Sequence, residues 1–389
     1  MTTARVVKSG LLINSALSII MVISSIYIID SFKFSYKLQS ETLGYVICDS
    51  LLNVAVILLF YMSNKNKIDD ELNYFITNSV PKIDAFRPLI ITIMLISVYQ
   101  ASISFKLIML GVARHELIIE YSRMGVLYIF ISNFFKILTP FVLFFNCKIK
   151  TKLICVIGLI SVLIITASRN ELAFVAYMLF FLLTYNVSKK IIGGIALFSC
   201  SLIFIAFLAT VFLQGRPISE GLNGVIDVVK THLLYKIYSY YLSEVSLAAG
   251  QGFEKFLYPY IGYIYERVIG EFFLLDQPIN TTFVSNYLYL GYNADWGSSY
   301  LANVVYPWWS WFVAQYGFIG LAIKSIFSFA IMKILLRSHM LVTLTYFSCF
   351  LIYFSPGGTL FLTANSVMTF TIAIIIDLFI KGTRRYTWK

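Results

Sequence analysis

Residues 152–186 read KLICVIGLISVLIITASRNELAFVAYMLFFLLTYN. Two apolar runs, at about 152–167 and 172–186, flank the short polar turn Ala167-Ser168-Arg169-Asn170. A helix needs roughly 20 residues to cross a bilayer, so each run is nearly long enough to span, tilted or as one half of a tight hairpin. Working outward, comparable runs occur at about 10–29, 42–62, 88–109, 125–146, 191–213, 315–335, 340–355 and 359–380, which makes ten. The composition agrees: 59% of the 389 residues are hydrophobic and only 13% charged, against about 25% charged in soluble domains. This excludes a soluble globular domain, a disordered chain, collagen and a disulfide scaffold. The fold class expected is all-α, a single integral membrane domain over residues 1–389 with about ten transmembrane helices.

Gly10 to Ile29, after Arg5 and Lys8, has the look of a signal peptide, but no A-x-A-like site follows and further spans do, so it reads as the first transmembrane helix. With the N-terminus inside, seventeen Lys and Arg (Arg5, Lys8, Lys65, Lys67, Lys82, Arg87, Lys148, Lys150, Lys152, Lys189, Lys190, Lys333, Arg337, Lys381, Arg384, Arg385, Lys389) fall on inner segments, and five (Lys33, Lys37, Arg114, Arg123, Arg169) on short outer loops. Cytoplasmic loops collect such charges. The expectation is a multi-pass protein with both termini cytoplasmic, whose net charge of +11 reflects topology rather than nucleic-acid binding. Cys48, Cys147, Cys155, Cys200 and Cys349 all lie in or beside apolar runs, which argues against a disulfide framework or zinc site.

The segment 214–305 between the seventh and eighth runs must then lie outside. It holds 12 of the 27 tyrosines and eight of the 19 acids. Ile226, Val229, Leu233, Ile237 and Tyr241 recur at helical steps, so Asp227 to Glu244 reads as an amphipathic helix, followed by a second stretch, Phe253 to Leu275, interrupted by Pro259, Gly262 and Gly270. Short helices resting on the outer leaflet are expected, their tyrosines at headgroup level.

No phosphate loop, H-E-x-x-H, C-x-x-C or G-x-S-x-G occurs, so energy must come from an ion gradient or from a substrate already activated in the membrane. The outer side carries Arg114 and Arg123 (with Glu116 between them), Arg169, and Arg216 in Gln214-Gly215-Arg216-Pro217. Guanidinium forks onto phosphate oxygens and can clamp a diphosphate; the alternative is snorkelling to headgroups or pairing with Glu116, Glu171 or Glu220. His232, with Lys236 one turn on, can supply a proton acceptor and a phosphate partner, or be a wetted polar face. Glu244 and Glu266 are further candidate bases. Asp49, Lys106, Lys136, Lys324 and Asp377 are charges inside spans; Lys106 and Asp377 lie within snorkelling reach of an end, whereas Asp49 and Lys136 are deeper and would suit an ion path. Asn280-Thr281-Thr282 matches a short glycosylation pattern.

Taken together, the ten spans, the Thr166-Ala167-Ser168-Arg169 turn, the Gln214-Gly215-Arg216 exit into one long outer loop and the Gln315-Tyr316-Gly317-Phe318-Ile319-Gly320 lead-in to the next span resemble the bacterial O-antigen (oligosaccharide repeat-unit) polymerases, the Wzy-type membrane glycosyltransferases. The resemblance implies a helical membrane fold like the GT-C class of lipid-linked glycosyltransferases, sited in the bacterial inner membrane. It also implies lipopolysaccharide biosynthesis by transfer of a growing glycan from undecaprenyl diphosphate to the next undecaprenyl-diphosphate-linked repeat unit. No cofactor is implied, because arginines replace the divalent ion; the partners are the lipid-linked oligosaccharide, membrane lipids and a chain-length regulator protein. On that reading Arg169, Arg216 and His232 are catalytic, and Arg114, Arg123, Lys236, Tyr235, Tyr241 and Glu116 bind substrate. An O-antigen ligase uses the same donor, and a lipid-linked oligosaccharide flippase or other transporter is the remaining alternative.

Overall fold

The computed structural model describes residues 5–112, 126–145, 147–166, 170–185, 218–265, 267, 287–293, 298–302, 306–355 and 360–381. In chain order the described elements are α1 (Lys8–Tyr27), α2 (Ser40–Ser63), α3 (Lys65–Tyr74), α4 (Val80–Ala85), α5 (Arg87–Met109), α6 (Val126–Phe144), α7 (Ile149–Thr166), α8 (Asn170–Leu182), α9 (Ile218–Ala249), α10 (Tyr258–Ile264), β1 (Leu288–Asn293), β2 (Ser298–Ala302), α11 (Trp308–Tyr316), α12 (Ile319–Arg337), α13 (Leu341–Cys349) and α14 (Ala364–Lys381). A wide π turn, Phe350–Phe354, continues α13.

Seven described helices, α1, α2, α5, α6, α7, α12 and α14, are long and apolar enough to cross a membrane, and they coincide with seven of the ten expected spans. The runs at 172–186 and 340–355 form shorter apolar helices, Ala173–Leu182 and Leu341–Phe354, and the run at 191–213 lies outside the described residues. Most core side chains form one continuous cluster reaching from Leu11 through Phe60, Phe135, Phe141 and Trp308 to Ile380. Helices α5, α6 and α7 pack together, with α14 and α8 on α6, while α2, α11 and α12 form a second group.

A chain this poor in acids uses them to cap helices from a distance. The residues flanking the starts of α1, α2 and α13 offer no capping side chain of their own. Instead Asp69 accepts from Val6 N ahead of α1 at 2.5 Å, and Glu244 accepts from Gln39 N (2.8 Å) and Thr42 Oγ1 (3.2 Å) at α2. Asp84 accepts from Lys148 N (3.1 Å) and Thr151 Oγ1 (2.5 Å) at α7. Asp377 on α14 accepts from Val342 N (3.0 Å) and from Thr343 N and Oγ1 (both 2.7 Å) at α13. Lysines treat the carbonyl ends likewise, each at 2.8 Å: Lys381 on Ser338 O after α12, Lys82 on Lys381 O ending α14, and Lys255 on Ala249 O ending α9. Helix ends leave four N–H and four C=O groups unmatched. Where lipid replaces water, those groups need protein partners, and each carboxylate also meets the positive end of a helix dipole.

This corrects one expectation. Asp377 does not reach for a span end; it is buried at 4% exposure and holds α13. Lys106, exposed near the end of α5, remains free to snorkel.

Two further corrections concern the long segment. The amphipathic helix expected at Asp227 to Glu244 is part of the 32-residue α9, and its second half does not rest on a surface. Leu234, Lys236, Ile237, Ser239 to Ser243 and Ser246 are buried, and Tyr240 meets Ser25 of α1 at 2.7 Å. Serines at 239, 243 and 246 return their hydroxyls to carbonyls of the preceding turn, which leaves a face small enough for close approach to α11. Nor is the segment wholly helical: β1 and β2 form an antiparallel hairpin. In Leu288-Tyr-Leu and Tyr300-Leu-Ala302 side chains alternate between buried (Leu290, Tyr300, Ala302) and exposed (Tyr289, Leu301), the period-2 pattern of a half-buried strand. The second amphipathic stretch appears as the short turn Phe253–Lys255 and α10; beyond Ile264, all of it but Tyr265 and Arg267 lies outside the described residues.

The Gln315-Tyr316-Gly317-Phe318-Ile319-Gly320 lead-in has a packing role. Gln315 donates to Gly250 O and to Gly252 O (3.0 Å), fastening the end of α9 to α11. Gly317 ends α11 at φ 62, ψ −153, a region essentially reserved for glycine. A Cβ on Gly320 would stand 2.2 Å from Phe312 O, so α12 folds back on α11 backbone to backbone. Gly320→Ala is expected to cost about 3 kcal/mol and Gly317→Ala about 1–2 kcal/mol. Thermal unfolding in detergent reads both, and a Gly320→Ala midpoint equal to wild type would refute the close approach.

Candidate functional site

The end of the helix 341–354 gathers the buried cations. Its π turn closes with Ser355 N donating to Phe350 O at 2.9 Å, and the carbonyls of this last turn form the negative end of a helix dipole. Lys324 of α12 donates to Ser355 Oγ (2.8 Å), Asp49 Oδ1 (2.6 Å) and Asn53 Oδ1 (2.9 Å). Asp49 Oδ2 accepts from Asn53 Nδ2 (2.9 Å) and Ser355 Oγ (3.2 Å). All three ammonium protons are matched, and the charge is paired and closed.

Lys236 of α9 reaches the same turn two residues earlier, donating to Tyr353 O at 2.8 Å. It is buried at 8% exposure, and among the described residues this carbonyl is its hydrogen-bond partner. Burial, with no countercharge offsetting it, pulls its pKa down to about 8. The other lysines on helix carbonyl ends, Lys82, Lys255 and Lys381, are only half-buried, so water can take their remaining protons.

Aromatic rings pack around this last turn and under two of the cations. Tyr353 stacks on Tyr177 of α8 at 4.7 Å, Tyr177 meets Phe354 edge-on at 5.3 Å, and Phe354 lies 5.5 Å from Phe174. Lys136 of α6, buried at 6% exposure, sits 5.2 Å above the Phe174 ring, and Lys324 the same distance from Trp308. Cations over ring faces gain about 0.5–2 kcal/mol when desolvated. Such a cluster can hold an oxyanion against ammonium groups and lay a sugar ring or an isoprenoid chain on aromatic faces.

Of the residues singled out from sequence, Asp49, Lys136, Lys324 and Lys236 fall in this cluster, Lys236 buried rather than on a wetted face. The α9 backbone places His232 one turn before it; its side chain lies outside the described residues, as do Arg114, Glu116, Arg123, Arg169, Arg216 and Glu266. Tyr235 is 44% exposed and available to a ligand. Tyr241 is not: it is buried at 1% exposure, its ring against Phe34 and Tyr36 and its hydroxyl donating to Tyr36 O at 3.1 Å. Glu244 is occupied in capping α2, which removes it as a base. Tyr177, Tyr353, Phe174 and Ser355 were not legible as site residues, because nothing distinguishes them from other aromatic or small residues in apolar runs.

Among the described residues no group of three His, Cys, Asp or Glu side chains stands close enough together to hold a metal ion. Comparison with known proteins finds no matching family model, no matching curated protein and no matching solved structure.

Proposed function

We propose that this protein is an oligosaccharide repeat-unit polymerase of the O-antigen type, a membrane glycosyltransferase of the bacterial inner membrane. It transfers the growing glycan from undecaprenyl diphosphate to a hydroxyl at the non-reducing end of the next lipid-linked unit. The bond from the anomeric carbon to the diphosphate oxygen breaks, a bond to the acceptor oxygen forms, the acceptor proton passes to a base such as His232, and undecaprenyl diphosphate departs. The observation that carries this reading is the set of buried lysines interleaved with tyrosine and phenylalanine rings at the end of the helix 341–354. With the Lys and Arg asymmetry placing both termini inside, that end faces outward. Fixed cations there would stabilise the charge that develops on the departing diphosphate, with Arg169 and Arg216 as its clamp.

The closed Asp49–Lys324 network weighs against the transporter alternative, since every proton of Lys324 already has an acceptor. The test is the lipopolysaccharide ladder of the native host with the gene deleted and restored. The expected result is collapse to core plus a single repeat unit, rescued by the gene. Loss of that first unit as well would point to a ligase or flippase, and an unchanged ladder would refute the proposal.

A further inference from the structure

We infer that Lys236, at the carbonyl end of the helix 341–354, is a buried binding subsite for the diphosphate of a polyprenyl-linked donor. This deepens the polymerase reading and rests on it for the identity of the lipid.

An ammonium needs acceptors. It has three protons to donate, and an ion withdrawn from water is costly unless paired. Two solutions to this problem are visible in the molecule. Lys324 is fully buried and meets a carboxylate, an amide oxygen and a hydroxyl. Lys82, Lys255 and Lys381 cap carbonyls but stay half-exposed. Lys236 follows neither: it is buried like Lys324, yet among the described residues it has one neutral acceptor. An oxyanion supplies what is missing, a countercharge and several acceptor atoms at once, and charge-assisted bonds of this kind are the stronger ones. Helical capping by Lys236 alone would be achieved equally well by a half-exposed side chain, as at the other three ends.

The experiment uses the full-length protein in nanodiscs and measures displacement of radiolabelled undecaprenyl diphosphate. Wild type should bind the lipid diphosphate, inorganic pyrophosphate should compete, and undecaprenol should compete at least tenfold more weakly. Lys236→Gln keeps a donor for Tyr353 O, one bond shorter, while removing the charge; Lys236→Met removes both. Each should lose tenfold or more in affinity for the lipid diphosphate, the scale of one charge-assisted hydrogen bond. Unliganded unfolding midpoints should stay near wild type or rise, because an uncompensated buried charge has gone. Lys255→Met, at a half-exposed cap, should bind as wild type. Unchanged affinity in Lys236→Gln with a lowered midpoint would make Lys236 a purely structural cap and overturn the inference. Competition by bulk phosphatidylglycerol equal to that by pyrophosphate would also overturn it, in favour of a general headgroup site. If wild type binds no lipid diphosphate, the polymerase reading itself fails; if wild type and both variants bind it alike, only the subsite is lost.

Discussion

Asp49→Ala should destabilise the protein by about 3–5 kcal/mol, the cost of stranding one member of a buried ion pair. Lys324 and Asp49 have side-chain exposures of 0% and 2% and stand 2.6 Å apart. Without the carboxylate, Lys324 retains only the neutral Asn53 Oδ1 and Ser355 Oγ, and Asn53 Nδ2 loses its acceptor. The pair joins α2 to α12 and to the end of the π turn, so the loss falls on three packed elements at once. Replacing both charges with apolar groups of similar size, Asp49→Leu with Lys324→Met, should recover most of the loss, because such replacement is often neutral or stabilising. Thermal unfolding in detergent of the two single variants and the double variant forms the cycle. A single variant as stable as wild type would refute the closed network. A variant that folds normally but abolishes a proton or ion flux would revive the transporter alternative.

The same pair shows what the sequence could and could not reveal. Asp49 and Lys324 stood out as charges within apolar runs, yet nothing local says that positions 275 residues apart meet. Seven of the ten expected spans were legible because length and apolarity alone specify them. Ends were not: the partners that cap α1, α2, α7 and α13 come from Asp69, Glu244, Asp84 and Asp377, and such pairing is a product of packing. Tyrosines misled in the long segment. A ring with a polar tip suits a headgroup layer and a protein interior with a hydroxyl partner equally well, and Tyr240 and Tyr241 take the second option. The hairpin was hidden for a related reason, since six alternating residues carry little weight beside a 32-residue helix. The Gln315–Gly320 patch was legible as a motif, but its meaning, a backbone approach at Gly320, needed the fold.

Arg169→Ala and Arg216→Ala should each abolish chain extension while the protein inserts normally. Arg169 directly precedes α8, whose Phe174 and Tyr177 enter the aromatic cluster, and Arg216 precedes α9, which carries His232 and Lys236. A leaving diphosphate gains charge as the glycosidic bond breaks, and a fixed donor aimed at it acts on the transition state more than on the bound substrate. Removing one such donor costs about 10²–10³ in turnover, enough to collapse a ladder to a single added unit. Lysine at either position should restore only part of the activity, because a point charge replaces a two-pronged fork. The competing role for Arg169, a pair with Glu171, predicts something else: Glu171→Ala would then reproduce the defect, and exchanging the two charges, Arg169→Glu with Glu171→Arg, would cure it. The clamp requires that the exchange fail and that Glu171→Ala extend chains. Wild-type chain lengths in both arginine variants, with the proteins present at normal levels in the membrane, would remove the clamp and leave the donor to the buried lysines and to Arg114 and Arg123.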